Sequence, residues 1–203
     1  MRRVVHRLSA FMLSLVLLAG CGAGPAEAPE AVNTPLMQAR MAAGIADCPA
    51  TTTSPAAGPI AGGLPDLTLQ CLGTGSESTL SGLRTGRPMV INMWAQWCGP
   101  CRDEAPVLAA VSKKTAGTVD FLGIDTADPQ PELAIEFARI AGWTYPQLVD
   151  PEKETSKPPL SAPGLPHTVF VDKDGRIVGF HSGPILTNAD LEASINDYFG
   201  IAP

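Results

Sequence analysis

Residues 92–104 read NMWAQWCGPCRDE, and the reading of this stretch decides the fold. Cys98 and Cys101 stand two residues apart behind Trp97. Upstream, Pro88 to Trp94 (PMVINMW) is a nearly continuous apolar run, suited to a central buried strand. Downstream, Pro100 to Thr115 is helical in pattern, with Val107, Leu108 and Val111 marking the core face. Pro106 removes a donor to the Arg102 carbonyl, so a kink is expected there. Cys98 therefore falls where a strand meets a helix N-terminus. Free N–H groups and the positive end of the dipole favour thiolate there, and a cysteine pKa near ~8.5 drops to roughly 3.5–7.5 in such places.

These features assign roles. Cys98 is the nucleophile. Gly99 lets a partner backbone approach closely, and Pro100 fits the helix start and stiffens the loop between the sulfurs. Cys101, inside the first turn and more buried, is the resolving thiol: it attacks the Cys98 sulfur of a mixed disulfide and frees the partner reduced. Run backward, the same steps oxidise a partner. Glu104 lies three residues after Cys101 on the same helix face. It either takes and returns the Cys101 proton or is a solvated first-turn glutamate helped by the helix dipole.

Working outward, the patterns alternate. Thr34 to Ala46 reads as a short helix with Pro35 in its first turn, and residues 49–63 as a loop. Asp66 to Leu72 is a strand, and Ser78 to Leu83 a second short strand or turn. Val119 to Asp125 is a buried strand, and Pro131 to Ala141 an amphipathic helix ended by Gly142. Pro146 to Val149 is a short strand, and residues 151–164 a Pro- and Lys-rich loop. His167 to Val171 and Arg176 to His181 form a hairpin about Lys173-Asp174-Gly175. Asn188 to Phe199 is the closing helix. This order predicts an α/β fold, a central mixed sheet with helices on both faces, parallel at the first crossover and antiparallel at the late hairpin.

The chain has 203 residues. Arg2, Arg3 and Arg7 followed by the apolar run Leu8 to Ala19 predict a cleaved export signal over residues 1–20, because about twelve apolar residues are too few to span ~30 Å of bilayer. The paired arginines are a weak twin-arginine echo. Leu18-Ala19-Gly20-Cys21 resembles a bacterial lipobox, which implies a diacylglyceryl group on Cys21 and an extracytoplasmic, membrane-anchored protein. The other reading is a plain secretory signal cut near Ala23 or Ala26. Residues 22–33 are a Pro-, Ala- and Glu-rich tether. The expected organisation is thus signal 1–20, anchored tether and lead-in 21–63, and a compact domain 64–203.

Without residues 1–20, three arginines and no acids are lost, leaving 11 basic and 20 acidic side chains, a net of −9. No basic patch remains to attract nucleic acid. Once Cys21 carries lipid, Cys48, Cys71, Cys98 and Cys101 remain in an oxidising compartment. Of three possible pairings, sequence separation favours 98–101 with 48–71. A Cys48–Cys71 bridge would close a loop worth about 3.5 kcal/mol on the chain-entropy model and staple the lead-in to the first strand. A second redox pair relaying electrons is the alternative.

The pattern WCGPC, with Asn92 upstream and Arg102, Glu104 and Pro106 downstream, resembles the thioredoxin superfamily, and within it the membrane-tethered TlpA/ResA-type branch. The resemblance covers roughly residues 64–200, including the extra helix and strand at 131–149. Asn92 stands where ordinary thioredoxins carry an acid. A second marker is Gly164-Leu165-Pro166-His167-Thr168. The resemblance implies that Pro166 is a cis-proline facing the cysteines, the alternative being a trans loop proline. A cis bond there leaves the Leu165 backbone free to pair with an extended substrate, and the resemblance places Trp97 at the docking face. His167 departs from the commoner small polar residue and is read as a strand residue, the alternative being contact with substrate or tuning of the thiols.

The implied activity is thiol–disulfide exchange with protein partners and no cofactor, by a monomer, with electrons passed by a membrane donor or acceptor that the sequence does not name. Reduction, as in cytochrome c maturation, is favoured over oxidation of secreted proteins. A non-catalytic, lipid-anchored binding module is the alternative of another class. A zinc site would need Cys48 and Cys71 as further ligands, but their spacing is not a second CxxC, so no metal is expected. A purely structural Cys98–Cys101 bridge fits poorly with a tiny loop beside a Trp94/Trp97 shelf. A peroxidase would want threonine where Ala95 stands.

Overall fold

The computed structural model describes residues 34–49 and 58–203. The predicted signal, Cys21 and the tether lie outside the described residues. Helix α1 (Pro35–Ala42) starts at Thr34, whose hydroxyl accepts from the Met37 N–H. Strands β1 (Thr68–Cys71) and β2 (Glu77–Thr79) follow, then a 3-10 turn over Leu80–Gly82. The central unit is β3 (Met89–Trp94), α2 (Gly99–Lys114), β4 (Asp120–Thr126), α3 (Pro131–Ala141) and β5 (Gln147–Asp150). A crossover with a 3-10 turn at Glu154–Ser156 leads to β6 (His167–Val171), β7 (Ile177–Ser182) and α4 (Asn188–Phe199).

The seven strands form one sheet in the order β2-β1-β5-β4-β3-β6-β7. β3, β4 and β5 are mutually parallel, and every other pairing is antiparallel. β3 is buried along its whole length, as its apolar run requires. Pro106 lies inside α2 without ending it; its ring faces solvent, so the bond missing at the Arg102 carbonyl opens toward water. Gly142 closes α3 in the left-handed conformation, φ 74°.

The four α-helices do not divide between the two faces. Val90, Trp94 and Phe170 meet α2, α3 and α4 residues such as Leu108, Ala134, Phe137, Leu191 and Ile195 on one side, where α1 also contributes Leu36. On the other side Met89, Ile91, Met93 and Val169 pack against Leu64, Leu80, Leu83 and Leu160, all from loops or 3-10 turns. The reason is handedness. The crossovers β3-α2-β4 and β4-α3-β5 step the same way across the sheet, so right-handed connections place both helices on one side. The expectation of helices on both faces fails on that point.

The lead-in is part of the packed body: Ile45 is buried in the helical-side core, and the Ala46 N–H donates to the Thr144 carbonyl. A Cys48–Cys71 disulfide joins it to the end of β1, with Cα atoms 5.9 Å apart. No helix among the described residues is long and apolar enough to cross a membrane.

Candidate active site

Cys98 and Cys101 form a disulfide at the N-terminus of α2, with Cα atoms 5.3 Å apart. β3 ends at Trp94, and the chain turns through Ala95, Gln96 and Trp97 to deliver Cys98 as the N-cap of α2. The Cys98 N–H donates to the Ala95 carbonyl at 3.1 Å, closing this turn. The Cys101 N–H donates to Cys98 Sγ at 3.2 Å. An N-cap sulfur is thus placed where an orphan helix donor points at it, which is the geometry that stabilises a thiolate once the bond is reduced. Cys98 is 4% exposed and Cys101 0%, so the first sulfur is the one nearer to solvent.

The two tryptophans of the motif part company. Trp97 is 54% exposed, and its indole N–H donates to the Ala127 carbonyl at 3.2 Å. Trp94 is fully buried, stacked on Phe137 and edge-on to Trp143, with its N–H given to Gln147 Oε1 at 3.0 Å. The exposed shelf of the motif is Trp97, and Trp94 lies in the buried cluster that holds both cysteines. Trp94, the last residue of β3, shares the inward face with Val90 and Asn92.

Glu104 is completely buried, which rules out the solvated first-turn glutamate. Its Oε1 accepts from Asn92 Nδ2 at 2.8 Å and its Oε2 from the Ile185 N–H at 3.2 Å. Asn92 Nδ2 also reaches Thr168 Oγ1 at 3.3 Å. Burial pushes the Glu104 carboxyl up to about 7, against the opposing pull of the Asn92 and Ile185 donors. This acid therefore changes charge near neutrality, one helical turn from the buried Cys101 sulfur. The Asn92 link is a partnership that single-residue reading of the sequence missed. The β3–β6 register, which sets Asn92 opposite Thr168, is what brings these groups together.

The Leu165–Pro166 peptide bond is cis. Met93 pairs with His167, so Pro166 lies level with the end of β3, where the chain turns toward Cys98. Leu165 packs against the cluster that contains both cysteines. Its N–H and C=O have no hydrogen-bond partner among the described residues. Gly99 and Pro100 are both exposed beside them. A second cis bond, Pro158–Pro159, lies in the crossover and was not anticipated. His167 is a buried strand residue as expected. Its Nδ1 lies 3.1 Å from Ser182 Oγ, its ring stacks on Phe180, and burial holds its pKa below the usual value.

One acid went unnoticed in the sequence. Asp125, near the end of β4, is 2% exposed and its Oδ1 has no partner. Burial, reinforced by the charge of Asp128, pushes it up to about 8. Asp128 in turn accepts from the Gln96 N–H at 3.0 Å, tying the loop after β4 to the turn before Cys98. Among the described residues no group of side chains could hold a metal ion.

A strand-to-helix disulfide, with an unpaired backbone edge before a cis-proline beside it, defines a thioredoxin-like thiol–disulfide oxidoreductase. Residues 60–195 match the Redoxin family model, and the chain belongs to that family, as a TlpA/ResA-like member of the thioredoxin superfamily. It is 33% identical over 132 residues to the thiol-disulfide oxidoreductase ResA of Geobacillus kaustophilus, covering 63% of this chain and 71% of the relative. It is 28% identical over 134 residues to the thioredoxin-like protein YneN of Bacillus subtilis, covering 65% and 76%. Among solved structures, a DsbF homologue from Corynebacterium diphtheriae superposes with a TM-score of 0.57 at 28% identity, covering 64% of this chain and 83% of the other.

Proposed function

We propose that the protein is an extracytoplasmic, lipid-anchored thiol–disulfide oxidoreductase that reduces disulfides in protein partners. The observation that carries the chemistry is the Cys101 N–H aimed at Cys98 Sγ at 3.2 Å. The cycle starts from the reduced dithiol. The Cys98 thiolate attacks one sulfur of a partner disulfide, and the other partner sulfur leaves as a thiolate that takes up a proton. Glu104, as carboxylate, then accepts the Cys101 proton. The Cys101 thiolate attacks Cys98 Sγ, the partner's second sulfur departs with the electron pair, and Glu104 returns the proton to it. The partner holds both electrons, and the protein is left with the Cys98–Cys101 bond. A dithiol donor at the membrane resets it.

Leu165 supports substrate capture, because its free N–H and C=O suit an extended segment added as a strand beside Pro166. Trp97, Gly99 and Pro100 supply the rest of the docking rim. Cys48–Cys71 serves as a structural staple. Anchoring rests on the Leu18 to Cys21 stretch, and the choice of reduction on the resemblance to the TlpA/ResA-type branch; Glu104 assists the Cys101 step in either direction.

The decisive experiment is a trap. Cys101→Ser blocks resolution, so reductase partners accumulate on Cys98 in cells, and Cys98→Ser abolishes both capture and insulin reduction. Equilibration with glutathione fixes the direction. A pair driven largely to the disulfide by the compartment's glutathione poise has the low potential of a reductase, and one that stays largely reduced is the stronger oxidant and donates disulfides instead.

A further inference from the structure

Beside the cis-proline lies a cavity of 240 Å³ walled by Trp97, Thr126 and Ala127 on one side, by Ala162 to Leu165 on another, and by Lys153 and Ser156 on the third. Among the described residues three non-glycines have positive φ: Ala127 at 57°, Lys153 at 57° and Ser161 at 50°. Two of them line this cavity, and Ser161 immediately precedes the Ala162 wall. Left-handed backbone at such residues persists only where surrounding bonds over-determine it.

Those bonds are present. Asp150, at the end of β5, is fully buried, and its carboxylate accepts from the N–H groups of Glu154 and Thr155, both at 2.9 Å, and from Thr155 Oγ1 at 2.5 Å. The Lys153 N–H donates to the Asp150 carbonyl, and the Ala162 N–H to the Thr155 carbonyl. The Lys153 wall and the Ala162–Leu165 wall are therefore knitted together around one buried carboxylate. The turn also sorts its charges. Glu152 and Glu154 line a separate groove against β1 and β5, and Glu154 is further neutralised by Lys157 at 2.7 Å. Lys153 is the one charged residue among those lining the cavity, and its ammonium forms no ion pair with an acid among the described residues. In a protein that is otherwise acidic, a lone cation at the mouth of an apolar slot next to the substrate edge selects for negative charge.

We propose that this cavity receives an acidic side chain of the partner polypeptide, close to the partner's reacting cysteine, and that Lys153 is the residue that selects it. Strand addition at Leu165 sends alternate partner side chains to opposite sides, and one set points at the cavity. A glutamate there lays its methylenes on Trp97 and Pro163 and its carboxylate near the Lys153 ammonium. The proposal rests on the exchange reading given above.

The test uses disulfide-bonded peptides carrying glutamate, glutamine or lysine at each of the two positions either side of the cysteine, with uncharged hydroxyethyl disulfide as the control substrate. For the unmodified protein, kcat/KM should favour the glutamate peptide over the lysine peptide by about fivefold at one of these positions, the scale of an exposed ion pair exchanged for a repulsion. The ratio should shrink toward one in about 1 M salt, where charges are screened within ~3 Å. Lys153→Asn, which tolerates a left-handed backbone, should abolish the preference, and Lys153→Glu should invert it. A merely structural lysine would alter the rates without inverting the ratio. Equal rates for all peptides, with hydroxyethyl disulfide still reduced, overturn the pocket and leave the exchange reading intact. No reduction of hydroxyethyl disulfide overturns both.

Discussion

Asn92 Nδ2 donates to Glu104 Oε1 at 2.8 Å, joining the central strand to the catalytic helix through a bond that no solvent reaches. Asn92 is a neutral donor, so the acid of this pair is Glu104, placed on the helix that carries both sulfurs. On the proposed exchange cycle, that placement makes the resolving step the one most sensitive to Glu104.

Glu104→Gln should slow release of the mixed disulfide by about 10²-fold, the usual worth of a positioned proton carrier, while attack by Cys98 changes much less. Stopped-flow decay of a pre-formed Cys98 mixed disulfide separates the two steps. In the unmodified protein the resolving rate should rise with pH through about 7 as the carboxyl ionises, and the glutamine variant should lose that rise.

Asn92→Ala removes a donor that lowers the Glu104 pKa. The rise in resolving rate should then move to higher pH. An unsatisfied buried carboxyl oxygen should also cost about 1–3 kcal/mol of stability, measurable by urea titration.

Stability should fall as pH climbs from about 4 to about 8. In the unfolded chain Asp125 and Glu104 ionise near their ordinary values of 3.8 and 4.5, whereas in the folded oxidised protein they hold their protons to about 8 and about 7. The folded state thus binds more protons across this window, which makes the slope negative. Asp125→Asn should flatten it, most clearly between pH 7 and 8, in melting temperatures of the oxidised form.

Removing the second disulfide as Cys48→Ser with Cys71→Ser should cost about 3 kcal/mol and leave the rate of Cys98 exchange unaltered. A fall in exchange without a fall in stability would mark that pair as an electron relay.

Gly123→Ala should be poorly tolerated. A Cβ at this position would lie 1.8 Å from Gln147 Oε1 and 2.9 Å from Trp94 Nε1. The amide must leave, and the buried Trp94 N–H then loses its acceptor, costing about 1–3 kcal/mol in urea titration.

Much of this was legible in the residues. β3 announced itself as an unbroken apolar run, and α3 was bounded by Pro131 and Gly142. The cysteine pair was placed at its strand-to-helix join because punctuation and period changed there together. What escaped depends on which way side chains turn. Trp94 and Trp97 look equivalent in the motif, but strand parity sends one inward and the turn sends the other out. Asp125 reads as an ordinary strand-end acid until the neighbouring strands and the aromatic cluster bury it. Helix sidedness follows from the direction in which the strands are added, which no local pattern encodes.

The one-sided layering has a kinetic corollary. Amides of the sheet under α2, α3 and α4 sit beneath long helices, whereas the opposite surface is roofed by the 3-10 turn at Leu80–Gly82 and by the crossover carrying Leu160. Opening that roof breaks local turn bonds around Asp150 rather than a sheet ladder or a long helix, so deuterium should enter residues 151–164 before it reaches β3 or α2. The groove beside Pro166 is thus walled by a segment that can open without disturbing the sheet or the helix that carries both sulfurs.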